Sequence, residues 1–161
     1  MLITFLRHAT AEPPAEQTMD AERALIKKGQ DQVLRVAEFC SRNELTPSGL
    51  YSSPAERALQ TAYLLQTRLP HCPQLEIADW LGLNSDPHTI QSALMRLEDS
   101  GIDEVWLVGH EPTISQSIGQ LLGSPGLGIV IKKASLTRIE VDFSNLKSSE
   151  LLWSIPCALM R

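Results

Sequence analysis

The sequence predicts a three-layer α/β/α fold built around a mostly parallel sheet. Short apolar runs typical of buried strands alternate with segments of helical periodicity along most of the chain. The last two apolar segments instead alternate with polar positions and are joined by a short polar connector, which indicates an antiparallel hairpin. The expected element order is β-α-β-α-β-α-β-α-β-β, and we expect a single domain over residues 1–161.

Each strand is predicted from its apolar run, and each helix from its cap and its apolar stripe. The expected strands are Leu2 to Leu6, Leu50-Tyr51, Leu75 to Ile77, Val105 to Val108, the alternation through Ile139, Val141 and Phe143, and Leu151 to Ile155. The expected helices are Leu25 to about Arg42, a helix opened by the capping box Ser53-Pro54-Ala55-Glu56, one opened by Asp86-Pro87, and one running from Pro112 to a stop at Gly123.

The composition indicates an ordinary globular protein. Hydrophobic residues make up 43% of the chain and charged residues 20%. The formal net charge of -5 argues against generic binding to nucleic acid or to anionic membranes, although it leaves room for a local basic pocket.

The cysteines and the apolar runs indicate a cellular compartment. Cys40, Cys72 and Cys157 are odd in number and form no C-x-x-C, which suits reduced thiols and supports neither a disulfide framework nor a zinc site. No stretch approaches the roughly 18 apolar residues of a membrane span, and the first run is too short for a signal peptide. We therefore expect a soluble, cytoplasmic protein.

Four basic side chains follow the ends of three predicted strands. Arg7 and His8 end the first strand, Arg57 lies in the first turn of the helix after the second, and His110 follows the fourth. Because the carboxyl ends of parallel strands meet at one edge of a sheet, these residues are expected to form a positive pocket there. Guanidinium forks and helix N-termini suit a compact, multiply charged anion such as phosphate.

Each of these residues also has a simpler explanation. Arg57 could pair with Glu56 or Asp20 on the surface, and His110 could be satisfied by a neighbouring carbonyl group. Their joint placement after three separate strands favours a binding site over these alternatives.

Several motifs resemble those of a known family. Residues 6–9 (LRHA) resemble the R-H-G/A signature of the histidine phosphatase superfamily, the phosphoglycerate-mutase-like proteins, with Ala9 where the larger family usually has Gly. Residues 52–62 are similar to its S-x-x-x-R-A-x-Q-T-A segment, and residues 108–112 to its second-histidine motif. The run from Asp20 to Gly29 looks like the D-x-x-R-x-L-x-x-x-G pattern of the short bacterial branch that contains SixA-like phosphohistidine phosphatases.

This resemblance implies a phosphoglycerate-mutase-like fold and a phosphatase that works without a metal ion or other cofactor. His8 would be the nucleophile, phosphorylated transiently on a ring nitrogen, and Arg7, Arg57 and His110 would hold the transferring phosphoryl group. The chemistry agrees, since a neutral imidazole is a competent nucleophile near pH 7 and phosphoryl transfer mainly requires positioning and positive charge.

Arg23 is a further candidate for contact with the substrate. It could reach the site from the loop that follows the first strand. A surface arginine paired with Asp20 or Glu22 explains it about equally well.

The choice of substrate depends on a proton donor. Larger relatives carry an acidic residue on an inserted segment, and the stretch from Glu76 to Asp86 offers no clear match, while a helix start sufficiently explains Glu111. An alcohol leaving group needs protonation far more than an imidazole, whose conjugate acid has a pKa of about 6.5. The expected substrate is therefore phosphohistidine on a protein such as a phosphorelay component. The alternatives are a small phosphomonoester or nucleotide, and a phosphoprotein-binding module without turnover.

Overall fold

A six-stranded mixed sheet lies at the centre of the structure, a computed structural model that describes all residues 1–161. The strands are β1 (Leu2–Arg7), β2 (Leu50–Ser52), β3 (Leu75–Ile77), β4 (Glu104–Gly109), β5 (Leu136–Glu140) and β6 (Glu150–Ile155). Their order across the sheet is β3-β2-β4-β1-β5-β6. The first four strands pair in parallel, and β5 pairs antiparallel with both β1 and β6. The predicted mostly parallel sheet with an antiparallel C-terminal hairpin is confirmed.

Four α-helices cover the sheet. They are α1 (Lys27–Arg42), α2 (Glu56–Gln66), α3 (Pro87–Asp99) and α4 (Thr113–Leu121). Short 3₁₀ helices occur at Asp20–Glu22, Asp79–Leu81, Leu146–Ser148 and Cys157–Leu159. No helix combines the length and the apolar character that crossing a membrane requires.

The core is divided into two apolar clusters, one on each face of the sheet. On β4, Trp106 and Val108 belong to the cluster under α1 and α2, whereas Val105 and Leu107 belong to the cluster under α3 and α4. All four side chains are essentially buried, as expected of a parallel strand covered on both faces. The predicted three-layer arrangement follows from this alternation.

Strands β2, β4 and β1 are consecutive neighbours in the sheet, and this positions the candidate site. Ser52 pairs with Val108 on β4, and Gly109 at the end of β4 pairs with Arg7 on β1. The three strands run parallel and end in register. The residues that follow them therefore emerge at one edge of the sheet.

The predicted capping box at α2 is wrong, whereas the cap at α3 is confirmed. Helix α2 begins at Glu56 with Ala55 as N-cap, and no side chain caps it. The Ser53 hydroxyl instead accepts a hydrogen bond from the N–H of Ala55 at 3.2 Å, so it does not satisfy an N–H group of the helix itself. At α3, Asp86 accepts from the backbone N–H groups of the second and third helical residues at 2.8 and 3.0 Å.

The predicted alternating strand through Phe143 ends earlier than expected. Strand β5 stops at Glu140, and Phe143 lies beyond it in a turn. The Asp142 carboxylate accepts from the backbone N–H groups of Ser144 and Asn145, so a local side-chain turn replaces the ladder.

Candidate active site

The residues singled out from the sequence lie around one cavity at the carboxyl ends of the parallel strands. The cavity has a volume of about 820 Å³. Its lining includes Arg7, His8, Arg57 and His110, together with Arg23. The structure thus brings all five candidate side chains to one place.

The His8 ring is held in one tautomer by the backbone. Its Nδ1 lies 2.8 Å from the carbonyl oxygen of Ala9. Because a carbonyl oxygen can only accept a hydrogen bond, Nδ1 carries the ring proton and Nε2 is the unprotonated nitrogen. The Nε–H of Arg57 points at that nitrogen from 3.3 Å, which fits an unprotonated Nε2.

The surroundings of His8 keep its ring neutral. The side chain is only 6% exposed, and its burial is the main reason that its pKa is lowered to about 4. The charges of Arg57, Arg7 and Lys133 lower the pKa further, and the hydrogen bond to Ala9 opposes them. Near pH 7 the Nε2 lone pair is therefore available for nucleophilic attack.

Arg57 is 4% exposed and is held by contacts on both sides of its guanidinium group. Its Nε faces His8, its Nη2 donates to the Asp20 carboxylate at 2.9 Å, and its Nη1 donates to the Asp20 carbonyl oxygen. The hydrogen bond from Arg57 is the main reason that the pKa of Asp20 is lowered. The simpler explanation of Arg57, an ion pair with Asp20, thus coexists with its place beside the candidate nucleophile.

Thr61 on α2 ties the loop after β1 to the helix that carries Arg57. Its hydroxyl accepts from the Ala9 N–H at 3.1 Å and donates to the Arg57 carbonyl oxygen at 2.7 Å. Since Ala9 directly follows His8, one hydroxyl group fixes the positions of both candidate residues relative to each other.

His110 lies against His8 and Ser53. The two imidazole rings are 5.1 Å apart between centroids, and His110 Nε2 is 2.7 Å from the Ser53 hydroxyl oxygen. The Nδ1 atom of His110 is buried and has no hydrogen-bond partner. Burial, assisted by repulsion from a protonated His8 and from Arg57, lowers the pKa of His110 to about 3, so this ring is also neutral near pH 7.

Arg7 and Lys133 add positive charge to the cavity. The Nη1 of Arg7 donates to the Ile131 carbonyl oxygen at 2.7 Å, while its buried Nε has no partner. Lys133 lines the same cavity, and its pKa is lowered, mainly by desolvation and then by Arg7. An anion that enters the cavity therefore meets these two cations in addition to Arg57.

Arg23 lines the cavity and also lies beside an acidic residue. Its Nε is 3.0 Å from Asp20 Oδ1, although the angle is unsuitable for a hydrogen bond. Both interpretations of Arg23 made from the sequence, a place at the site and pairing with Asp20, describe its position.

The three carboxylates that line the cavity are each engaged with other groups. Glu12 accepts from the Ala24 N–H at 3.1 Å, and Asp20 binds arginine. Glu111 accepts from the backbone N–H and the hydroxyl of Ser115, in the first turn of α4, at 3.2 and 2.7 Å. No group of three or more His, Cys, Asp or Glu side chains is arranged to hold a metal ion.

Sequence reasoning missed the parts played at the site by Ser53, Thr61 and Lys133. Ser53 and Thr61 lie within the motif of residues 52–62, so the motif contained a signal that was attributed to helix capping and packing. Lys133 stands in a segment without strand or helix periodicity, where only its charge could have drawn attention.

Comparison with known proteins places the chain in a family. Residues 3–83 match the family model of the histidine phosphatase superfamily (branch 1). The chain belongs to this superfamily. It is 28% identical over 137 residues to an uncharacterized protein of Picosynechococcus sp., and the match covers 84% of this chain and 82% of that protein. The resemblance inferred from the motifs is confirmed, and membership supports phosphatase activity.

Solved structures show the same fold as this histidine phosphatase family member. The protein histidine phosphatase SixA complexed with tungstate matches with a TM-score of 0.86 over 100% of both chains at 21% identity. The SixA protein of Agrobacterium tumefaciens matches with a TM-score of 0.81 over 96% of this chain and 97% of that chain, also at 21% identity. A mycobacterial glucosyl-3-phosphoglycerate phosphatase matches with a TM-score of 0.71 over 93% and 96% of the chains at 20% identity. The predicted phosphoglycerate-mutase-like fold is confirmed.

Proposed function

We propose that this chain is a phosphohistidine phosphatase whose nucleophile is the Nε2 atom of His8. The hydrogen bond between His8 Nδ1 and the Ala9 carbonyl oxygen carries the proposal, because it presents an unprotonated Nε2 at the cavity. A neutral imidazole whose one protonated nitrogen is held by the backbone and whose other nitrogen is unprotonated is suited to form a covalent phosphoryl intermediate.

The positive side chains of the cavity would stabilise the transferring phosphoryl group. Its three equatorial oxygens carry the charge in the transition state, and the guanidinium groups of Arg7 and Arg57 supply forked donors for them. His110 would contribute a further ring N–H, and Arg23 and Lys133 would attract the anion to the mouth. Stabilising the phosphoryl group and attracting the anion do not require a bound metal ion, because the arginines provide the positive charge.

The state of the carboxylates supports phosphohistidine as the substrate. Glu12, Asp20 and Glu111 each accept hydrogen bonds or bind arginine, and Asp20 is held ionised by its lowered pKa. An ionised carboxylate already engaged by donors is a poor proton donor, and an alcohol leaving group needs one. An imidazole departs neutral once its second nitrogen is protonated, which occurs near neutral pH without help from the enzyme.

The reaction would proceed in two displacements. First, the His8 Nε2 lone pair forms a bond to phosphorus while the P–N bond to the substrate histidine breaks and its electron pair returns to the substrate ring. Second, a water oxygen bonds to phosphorus, the P–N bond to His8 breaks with its electron pair returning to Nε2, and inorganic phosphate leaves with the oxygen and both protons of the water. His8 is then regenerated with the Ala9 hydrogen bond intact.

The phosphohistidine would be carried by a protein, such as a phosphorelay component. The cavity reaches the protein surface, since exposed Asn84, Leu83 and Lys133 are among the residues that line it, and a second protein would present its phosphohistidine there. The SixA protein that shares the fold is described as a protein histidine phosphatase, which supports the same substrate class here.

A small phosphate ester is the second candidate substrate. A cavity of about 820 Å³ holds considerably more than a phosphoryl group. The mycobacterial phosphatase with the same fold acts on glucosyl-3-phosphoglycerate, a small phosphorylated metabolite. This candidate uses the same nucleophile and the same phosphate contacts, and differs only in the leaving group.

A paired assay tests the proposal. A ³²P-phosphohistidine protein and p-nitrophenyl phosphate would each be incubated with the wild type, with His8→Ala and with His88→Ala, a matched control because His88 is an exposed histidine on α3 outside the cavity. We expect the wild type and His88→Ala to dephosphorylate the protein, and His8→Ala to be inactive. Rapid turnover of the ester with none of phosphohistidine would favour the second candidate. Turnover of neither would indicate a phosphoprotein-binding module.

A further inference from the structure

A buried serine–histidine pair lies directly behind the candidate phosphate site. Ser53 is fully buried and His110 is 6% exposed. The Ser53 hydroxyl oxygen is 2.7 Å from His110 Nε2, a short contact in which either atom can be the donor. Which of the two atoms donates decides whether the ring proton of a neutral His110 lies on Nε2 or on Nδ1.

The other hydrogen bond of Ser53 indicates which atom donates. Its hydroxyl oxygen already accepts from the Ala55 N–H at 3.2 Å. If the hydroxyl donates to Nε2, its single proton is satisfied. If Nε2 donates instead, the hydroxyl oxygen accepts twice and its proton is left without an acceptor in a fully buried position, which is costly.

The remaining nitrogen of His110 then becomes the donor. The ring is neutral near pH 7, because burial and nearby positive charge lower its pKa to about 3. With Nε2 accepting from Ser53, the one ring proton lies on Nδ1. That atom is buried without a partner in a residue that lines the cavity. A phosphoryl group bound against His110 would supply the acceptor that this atom lacks.

We propose that Ser53 is a positioning residue that fixes the tautomer of His110, so that His110 Nδ1–H donates to a phosphoryl oxygen. The first half, the tautomer, rests on the hydrogen bonds of Ser53 and on the neutral state of the ring. The second half, the contact with phosphate, rests on the proposed function. Ser53 is free for this task because α2 is not capped by its side chain.

This arrangement parallels the one at His8. There, a backbone carbonyl accepts from Nδ1 and leaves Nε2 bare as the nucleophile. At His110, a serine hydroxyl donates to Nε2 and places the proton on Nδ1 as a donor. The two neighbouring imidazoles are both neutral. Their hydrogen-bond partners leave His8 with an unprotonated nitrogen as nucleophile and His110 with an N–H group as donor.

Nitrogen NMR tests the tautomer without reference to activity. In ¹⁵N-labelled protein at neutral pH, the ring nitrogens of His110, one of four histidines, are assigned by comparison with a His110→Gln variant. We expect a protonated Nδ1 and a bare Nε2 in the wild type. Ser53→Ala should lose this fixed state and show exchange of the proton between both nitrogens, whereas Ser53→Thr, which keeps the hydroxyl, should retain it. A matched control is Ser52→Ala, which removes a neighbouring buried hydroxyl bonded to the Ser53 carbonyl oxygen and should also retain it.

Binding of inorganic phosphate tests the contact. We expect Ser53→Ala to weaken phosphate binding about fivefold to tenfold, in line with one hydrogen bond to a charged group, and Ser53→Thr to bind like the wild type. A bare Nδ1 in the wild type, or an unchanged tautomer in Ser53→Ala, would overturn the assignment of Ser53. The expected tautomers with unaltered phosphate affinity would overturn the phosphate contact. A protein that shows both expected effects but no turnover would contradict the proposed function and leave the role of Ser53 intact.

Discussion

Asp20 binds the guanidinium group of Arg57 with both its carboxylate and its main chain. Oδ2 accepts from Nη2 at 2.9 Å, and the carbonyl oxygen accepts from Nη1. Oδ1 of the same residue is 3.0 Å from the Nε of Arg23. One carboxylate therefore offsets part of the charge of two arginines at a cavity that we expect to attract an anion.

Replacement of Asp20 by asparagine should tighten the binding of inorganic phosphate. Asp20→Asn keeps an oxygen that can accept from Arg57 and removes the opposing negative charge. Because Asp20 is largely exposed, the gain should be at most about 1 kcal/mol, or up to about fivefold in the inhibition constant of phosphate. Asp31→Asn, in an exposed ion pair with Lys27 outside the cavity, serves as the control. Weaker phosphate binding in Asp20→Asn would show that the carboxylate chiefly positions Arg57.

Replacement of Arg57 by lysine should strongly impair turnover. Lysine keeps the charge but has a single nitrogen, so it cannot donate to His8 and Asp20 from separate nitrogens as the guanidinium group does. We expect kcat/KM for the phosphohistidine protein to fall on the order of 100-fold, as for loss of one oriented donor in a transition state. Arg68→Lys, at an exposed position just after α2, should change it little. A loss of less than about threefold in Arg57→Lys would mean that charge alone is sufficient.

Folding stability should decline as the pH falls from about 6.5 to 4. The folded-state pKa values of His8 and His110 are lowered to about 4 and about 3, mainly by burial. An unfolded histidine has a pKa of about 6.5. Below that pH the unfolded chain therefore binds more protons than the folded chain, and the free energy of unfolding falls. The loss for one such histidine over this range is on the order of 3 kcal/mol.

Urea unfolding measured between pH 7 and pH 4 checks this pH dependence. A His110→Gln variant lacks one of the two groups, so its free energy of unfolding should fall less steeply over this range than that of the wild type. Parallel curves for the two proteins would contradict the lowered pKa of His110.

The gathering of the candidate residues could be predicted from the sequence because it depends on strand ends alone. Once β1, β2 and β4 are parallel, whatever follows them lies at one edge, and the apolar runs identify those ends to within about a residue. The tetrapeptide beginning at Ser53 fits a helix cap equally well on local grounds. The observed contact of Ser53 with His110 depends on β2 and β4 being neighbours in the sheet, and a local sequence pattern does not predict that pairing.

The place of Lys133 in the cavity was beyond sequence reasoning for a related cause. Lys133 and the Ile131 carbonyl reach the site because β5 pairs antiparallel with β1, which brings the segment before β5 to the end of β1. That segment has neither helical nor strand periodicity. Its position is set by long-range pairing rather than by its own residues.

Loss of the Lys133 charge should weaken capture of the phosphorylated substrate. Lys133 lines the cavity and lies close enough to Arg7 for that charge to lower its pKa. We expect Lys133→Gln to raise KM about twofold to fivefold at low salt with little change in kcat, because the side chain is exposed and its contribution is screened. Lys132→Gln, the exposed neighbour outside the cavity lining, is the control. Equal effects of the two substitutions on KM would show that only the overall charge matters.

The close approach of α1 to the loop after β1 should make Gly29 intolerant of a side chain. A Cβ at this position would lie 2.1 Å from the Thr10 carbonyl oxygen. Thr10 cannot easily move away, because its carbonyl accepts from the Ile26 N–H and its own N–H donates to Gln32. We expect Gly29→Ala to lower the free energy of unfolding by about 1–3 kcal/mol, the range for an overpacked site. Since Thr10 lies two residues after His8, the strain should also reduce kcat.

The matched control is Gly128→Ala, because a Cβ at residue 128 meets nothing within 4 Å. Chemical denaturation of both variants separates a specific clash from the general effect of replacing glycine. If Gly29→Ala and Gly128→Ala unfold at the same denaturant concentration, α1 must be able to move away from Thr10. The position of His8 would then not depend on that packing contact.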